Sequence, residues 1–252
     1  MSDKTTDYIE SFSEILKESN SIVFFGGAGV STESGVKDYR SRDGLYNTVK
    51  EYGVSPEDIL SIGFFRKNPD VFYDFYKKYF ISDAKPNPAH KALAELEQMG
   101  KLRAVITQNI DNLHQNAGSR NVVELHGNTR EFFCDSCKKE AEAKTAMDEI
   151  LNVGIPKCPT CGGVLRPRVV MYGEMLHENV PETAIWHIEN ADCLIVGGTS
   201  LAVQPAASFI RYFRGKYLVI INKMETNFDS NANLVIRDPI GEVFEKAMNK
   251  IR

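Results

Sequence analysis

Four short runs, residues 21–25 (SIVFF), 102–106 (LRAVI), 193–196 (CLIV) and 217–221 (YLVII), are almost wholly apolar and rich in β-formers. Runs this short without polar alternation suit strands covered on both faces, as in a parallel sheet. Between and around them the apolar spacing changes to the helical period, over residues 8–18, 89–99, 181–189, 205–213 and 241–251. Pro88 and Pro205 stand where a first-turn proline belongs. Strand and helix in repeated alternation predict an α/β fold, a Rossmann-like doubly wound parallel sheet.

Two stretches break the alternation. Residues 42–84 read as a helical module dense in aromatics, for example FYDFYKKYF at 72–80. Residues 131–164 hold four cysteines and little else able to form a core. The expected organisation is therefore a dinucleotide-type domain from 1–41, 85–130 and 165–252, a helical module at 42–84, and a small zinc-binding insertion at 131–164.

Composition narrows the class. The chain has 252 residues, 42% hydrophobic and 25% charged, enough for a packed core. Its 30 basic and 34 acidic residues give a net charge of −4, so nucleic acid is not an expected partner. The polar start MSDKTTDYIESF lacks a signal-peptide core and no 18 apolar residues run together, so the expectation is a cytoplasmic protein without a membrane span.

The cysteines are the most specific feature that spacing provides. Cys134-x2-Cys137 and Cys158-x2-Cys161 are separated by 20 residues, a zinc pattern, with Gly162-Gly163 allowing the second knuckle to turn. Four thiolates leave zinc no open position, so the metal is structural and supplies on the order of 10 kcal/mol to a segment without its own core. A redox dithiol fits poorly, because neither pair opens a helix after a strand. Cys193, inside an apolar run, reads as a core residue.

Polar clusters follow the apolar runs where an α/β sheet binds ligands. After SIVFF, Gly27-Ala28-Gly29 allows close backbone approach, and the following VSTESG can start a helix facing an anion. Thr32 stands where a dinucleotide fingerprint has its third glycine, and the region near Glu51 supplies no strand-end carboxylate. After LRAVI comes TQNIDNLH at 107–114, a ligand-orienting group, although any single member could be a helix cap. His126, at the end of VVEL and before Gly127, is placed to act as a general base. His90, His114, His177 and His187 receive no chemical role.

Taken in order, GAGVSTESGVKDYR (27–40), KPNPAHKALAEL (85–96), TQNIDNLH (107–114), ELHG (124–127), both cysteine pairs, RPRVVMYGE (166–174), GGTSLAVQPAA (197–207) and IIN (220–222) resemble the sirtuin family of NAD-dependent protein lysine deacylases. The match is to a bacterial-type single catalytic domain. The resemblance implies that NAD is a consumed co-substrate and zinc a structural ion. It implies that Ala28, Thr32, Tyr39 and Arg40 line the NAD loop. Gln108, Asn109, Ile110 and Asp111 then surround the nicotinamide ribose and carboxamide, with Asn109, Asp111 and His126 catalytic. Thr199, Ser200 and Asn222 meet the adenosine half, with Ile240 near the adenine. Val169, Val170, Met171, Tyr172, Gly173 and Glu174 pair with an acyl-lysine peptide by strand addition. A monomer is expected.

Three departures from the family pattern stand out. Lys37 replaces the usual proline, Tyr39 the usual phenylalanine, and Arg168 a small polar residue; Arg168 reads first as a solvated surface charge, with a preference for acidic flanks on a peptide as the alternative. No Tyr-x-x-Arg pair occurs in 42–84, so neutral acyl groups are expected over succinyl or malonyl. Protein ADP-ribosyl transfer, a zinc-ribbon nucleic-acid binder and an NAD dehydrogenase are the rival classes. They are disfavoured in turn by the intact TQNIDNLH and His126 set, by the net charge, and by Thr32 with the missing ribose carboxylate.

Overall fold

The computed structural model describes residues 2–38 and 49–252. Its main sheet is built from β1 (Ile22–Gly26), β2 (Leu102–Thr107), β3 (Val122–Glu124), β7 (Cys193–Gly197), β8 (Tyr217–Ile221) and β9 (Leu234–Ile236). The strands lie in the order β3-β2-β1-β7-β8-β9, all parallel. The period of two along β1 explains its all-apolar sequence. Ile22 and Phe24 enter a core beneath α1 (Ser2–Glu18), α6 (Pro88–Gln98) and α10 (Ile240–Ile251). Val23 and Phe25 enter the opposite core, beneath α9 (Val180–Glu189) and a 3-10 helix at Ala206–Tyr212. Each such fully buried side chain contributes about 1.5–3 kcal/mol relative to exposure.

Several local elements differ from their sequence reading. Residues 205–213 form that 3-10 helix, and Pro205 caps it from outside instead of occupying the first turn. VSTESG gives two three-residue 3-10 turns, Ala28–Val30 and Thr32–Ser34, because Gly35 in the left-handed region (φ 84°) stops any continuation. β9, with only three residues, carries too short an apolar signal to be read ahead.

The remaining elements form a second body of structure. α2 (Val49–Tyr52), α3 (Pro56–Ile59), α4 (Ile62–Lys67) and α5 (Pro69–Tyr79) cover the described part of the aromatic-rich stretch. β4 (Gly127–Cys134), β5 (Glu140–Ala141) and β6 (Leu165–Val169) make an antiparallel sheet in the order β5-β4-β6, with α8 (Ala143–Asn152) beside it. Phe65, Phe72, Tyr73, Phe75 and Tyr76 share one core with Phe132, Ile150, Leu165 and Met171. The cysteine segment thus has apolar residues to contribute, and it buries them in a core shared with the helices.

One lysine ties the sheet to its first helix. Lys101 Nζ donates to the carbonyls of Leu16, Lys17 and Ser19 at 2.9, 2.7 and 2.8 Å, closing the negative end of α1. Lys101→Met keeps the stem and removes the charge. It should lower stability by about 1–2 kcal/mol, and an unchanged urea midpoint would refute this role.

Candidate active site

β1 pairs with β2 on one side and β7 on the other, so chain connections diverge at its carboxyl end and leave a crevice there. The predicted polar clusters meet at this point. Gly27 and Gly29 follow β1 and donate backbone N–H groups to Gly197 O (3.2 Å) and Gly198 O (2.8 Å) after β7. A Cβ on Gly29 would lie 2.8 Å from the Gly198 backbone. The glycine is therefore demanded by loop-on-loop packing. Thr32, in the third-glycine position, donates its hydroxyl to Gly29 O at 2.9 Å and tightens the same loop.

Gln108 and Asn109 extend β2 across this junction. Gln108 Nε2 donates to Thr199 Oγ1 (3.1 Å), and Asn109 Nδ2 donates to Gly27 O (3.1 Å) and Ser31 Oγ (3.0 Å). Ser31 in turn donates to Asp111 Oδ2 at 2.6 Å. Burial pushes the Asp111 carboxyl up from its ordinary value, against the pull of Ser31 and of backbone N–H groups. Its other oxygen accepts from Leu113 N (3.0 Å) and so starts α7 (Leu113–Asn116). Ile110 is fixed through its carbonyl, which accepts from Thr129 Oγ1 at 3.0 Å. Thr129 accepts from Asn112, a left-handed residue at φ 64° whose side chain also meets Arg130.

Ser31 is the residue that sequence reasoning passed over. It is wholly buried and joins Asn109 to Asp111. Its only sequence signal is a hydroxyl two residues past Gly29, and Thr32 beside it offers the same group at the fingerprint position. Asn87 was missed likewise: it caps α6 and donates Nδ2 to Val30 O at 2.7 Å, holding the glycine loop from behind.

His126 lies between β3 and β4. Its Nδ1 is 3.0 Å from Gln108 O, and because a carbonyl only accepts, Nδ1 carries the proton and Nε2 keeps a free lone pair. Burial pulls its pKa below the ordinary imidazole value, partly offset by that hydrogen bond, so the ring is neutral at pH 7. The His126 carbonyl accepts from Val170 N at 2.9 Å, which leads the predicted peptide-binding stretch directly out of the histidine. Gly127 (φ 72°) makes this crossing possible, since a Cβ there would fall 1.9 Å from Arg168 O.

Within residues 169–174, Tyr172 exchanges backbone bonds with Leu60 and Ile62 at 3.0 Å each. Glu174 accepts from Met171 N at 3.0 Å and from Arg166 at 2.8 and 2.6 Å. Arg168 is paired with Glu131 (2.8 Å) and Glu140 (3.0 Å). Thr199 and Ser200 follow β7, Asn222 follows β8, and Ile240 opens α10, so these four line up along the same sheet edge. The Ile240 side chain itself is buried in the core against Gly197. Lys37 Nζ sits 5.6 Å over the Tyr79 ring. Tyr39 and Arg40 lie outside the described residues.

The four cysteine sulfurs all lie within 4.8 Å of one another. Cys134 and Cys161 sulfurs are 3.5 Å apart, those of Cys137 and Cys158 3.8 Å. Zn–S bonds of about 2.3 Å in a tetrahedron put sulfurs about 3.8 Å apart, so the set fits a structural zinc ion.

A doubly wound sheet with a polar crevice at its switch point and a tetrathiolate knuckle defines a dinucleotide-cleft protein with a zinc-type insertion. The Sir2 family model matches residues 27–205. An NAD-dependent protein deacetylase of Clostridium perfringens is 52% identical over 245 residues, covering 96% of this chain and 99% of that protein. One from Clostridium tetani is 50% identical over 240 residues, covering 94% and 96%. Among solved structures, Sir2 with a p53 peptide and NAD+ superposes with a TM-score of 0.85 at 38% identity, covering 96% of this chain and 98% of that one. A Sir2 enzyme bound to a propionylated peptide gives 0.85 at 37%, with the same coverage. The chain belongs to the Sir2 family.

Proposed function

We propose that this protein is an NAD-dependent protein-lysine deacylase for neutral acyl groups, working as a cytoplasmic monomer. The observation that carries the reading is the neutral His126, its tautomer fixed by Gln108, beside the hydrogen-bonded Ser31–Asn109–Asp111 set at the switch point. The relatives named as NAD-dependent deacetylases and the propionylated-peptide complex support it. When bound, NAD supplies the ADP-ribose that accepts the acyl group, with nicotinamide and free lysine released.

The chain's own residues have separable tasks in this scheme. Asn109 and Asp111 bind and orient the nicotinamide end, held rigid by Ser31. Thr199, Ser200 and Asn222 hold the adenosine end. Residues 169–174 lay the acyl-lysine peptide beside His126, whose Nε2 takes a proton from a ribose hydroxyl. The helical and cysteine segments act as one lobe, since they share a core. Among the described residues no helix is long and apolar enough to cross a membrane.

The test is a panel of acyl-lysine peptides with NAD, following nicotinamide release and peptide mass. Acetyl and propionyl are expected to react and succinyl to fail. His126→Ala should lose on the order of a hundredfold in turnover, and near-normal deacylation by that variant removes the base. The acidic limb of kcat/KM should lie below pH 6.5, because the base is active when neutral and its pKa is depressed from that value.

A further inference from the structure

We infer that Asp135, between the cysteines of the first knuckle, is a positioning residue for the acyl-peptide segment; this rests on reading residues 169–174 as that segment. Asp135 is where two cationic side chains from different elements converge. Arg66, in the last turn of α4, donates to it through Nε at 2.9 Å and Nη2 at 3.2 Å. Arg166 of β6, only 3% exposed, brings Nη1 to 3.8 Å. Lys138 adds a third cation at 3.2 Å. The backbone of Asp135 is fixed from the other knuckle, its N–H donating to Val164 O at 2.9 Å.

Both arginines lead to the same six residues. Along the first route, Arg66 ends α4, and the start of α4 binds the segment: Ile62 N donates to Tyr172 O and Tyr172 N to Leu60 O. Along the second, Arg166 grips Glu174, whose Oε2 accepts from Met171 N. The Arg166 guanidinium also lies over Phe65 of α4 at 5.7 Å and over Phe133 at 5.1 Å, so the two routes touch midway. Together they close a ring of knuckle, α4, Tyr172, Glu174 and Arg166. Asp135 is the acid that closes it. Without its charge, Arg66 loses its carboxylate partner and the end of α4 loses its tie to the knuckle. The knuckle's geometry thereby reaches the peptide strand and bypasses the NAD crevice, whose ties run through Ser31, Asn109 and Thr199.

The test compares wild type, Asp135→Asn and Arg66→Gln, each with zinc content measured. Asp135→Asn should raise KM for an acetyl-lysine peptide about five- to tenfold, with kcat and the KM for NAD within about twofold of wild type. In enzyme without substrates, hydrogen exchange at the Met171 and Tyr172 amides should quicken by a similar factor. Arg66 is 55% exposed, so Arg66→Gln folds normally and should give a smaller effect of the same pattern. Unchanged peptide KM and exchange in both variants overturns the inference, as does a KM for NAD rising in step with that for peptide. If Asp135→Asn loses zinc, the zinc-replete Arg66→Gln decides by the same criteria. The exchange arm needs no turnover, so it tests Asp135 even if wild type fails to deacylate, which would sink the functional reading alone.

Discussion

Glu174→Ala should cost the folded protein about 3–5 kcal/mol, because it strands a buried guanidinium. Arg166 is 3% exposed and has Glu174 as its nearest carboxylate, at 2.6 Å. Burial alone would raise the Glu174 carboxyl, yet Arg166 and the Met171 amide hold it below its ordinary value. The pair is therefore ionised in the folded state. Removing the acid leaves Arg166 with the Val169 carbonyl at 2.8 Å and the more distant Asp135. Removing both charges is a different matter. Arg166→Met with Glu174→Leu should recover most of the lost stability, since an apolar pair of similar volume needs no desolvation. It should not recover peptide affinity, because Met171 N still lacks its carboxylate acceptor. Urea unfolding and peptide KM, measured on all three proteins, separate the two effects. Equal instability of the double and single variants would show that packing, not charge, holds this corner.

What the sequence disclosed depended on the range over which each signal acts. β1, β2, β7 and β8 announced themselves because burial on both faces makes a strand apolar at every position. The cysteine cluster was equally plain, since metal ligation fixes spacing along the chain. The clustering of Gln108, Asn109, Asp111, His126 and Thr199 followed from their places after strands. Which atoms meet did not follow. Ser31 joins Asn109 to Asp111 across 78 and 80 positions of sequence, and nothing local marks it from any other serine. Arg166 read as part of a motif, but its buried partnership with Glu174 and its nearness to Asp135 exist only once β6 is laid beside the knuckle. Arg168 read first as a solvated surface charge, and its pairing with Glu131 and Glu140 is likewise visible only in the fold. The burial of His90 and His114 against each other is also absent from the local sequence signal.

Those two histidines should make the protein acid-labile well before its carboxylates titrate. Both are buried, 0% and 1% exposed, with ring centroids 4.7 Å apart. His90 Nδ1 accepts from Asn87 N, which fixes the neutral ring, while His114 packs near Phe24 at 6.0 Å. Among the described residues no group hydrogen-bonds either nitrogen of His114, so none of them stabilises a charge there. Burial pushes His90 down to about 4 and His114 to about 3, the latter helped by His90, from 6.5. The unfolded chain therefore takes up protons that the folded one refuses. Stability is fully present above pH 6.5 and falls as pH descends toward these depressed values. Each histidine contributes a slope of about 1.4 kcal/mol per pH unit, so at pH 5 the pair removes about 4 kcal/mol. Against a total of about 5–15 kcal/mol this is severe. Urea unfolding at pH 7 and pH 5 should show it, and His114→Phe, which keeps a ring without a titrating nitrogen, should roughly halve the difference. A stability unchanged between the two pH values would mean that both rings find a counter-charge in solution. The location gives the effect a functional reading. His114 lies on α7, whose first N–H is held by Asp111. Under the roles proposed for Asp111 and His126, protonation beneath that helix loosens the nicotinamide end, and kcat/KM in acid should fall more steeply than loss of the His126 base alone allows.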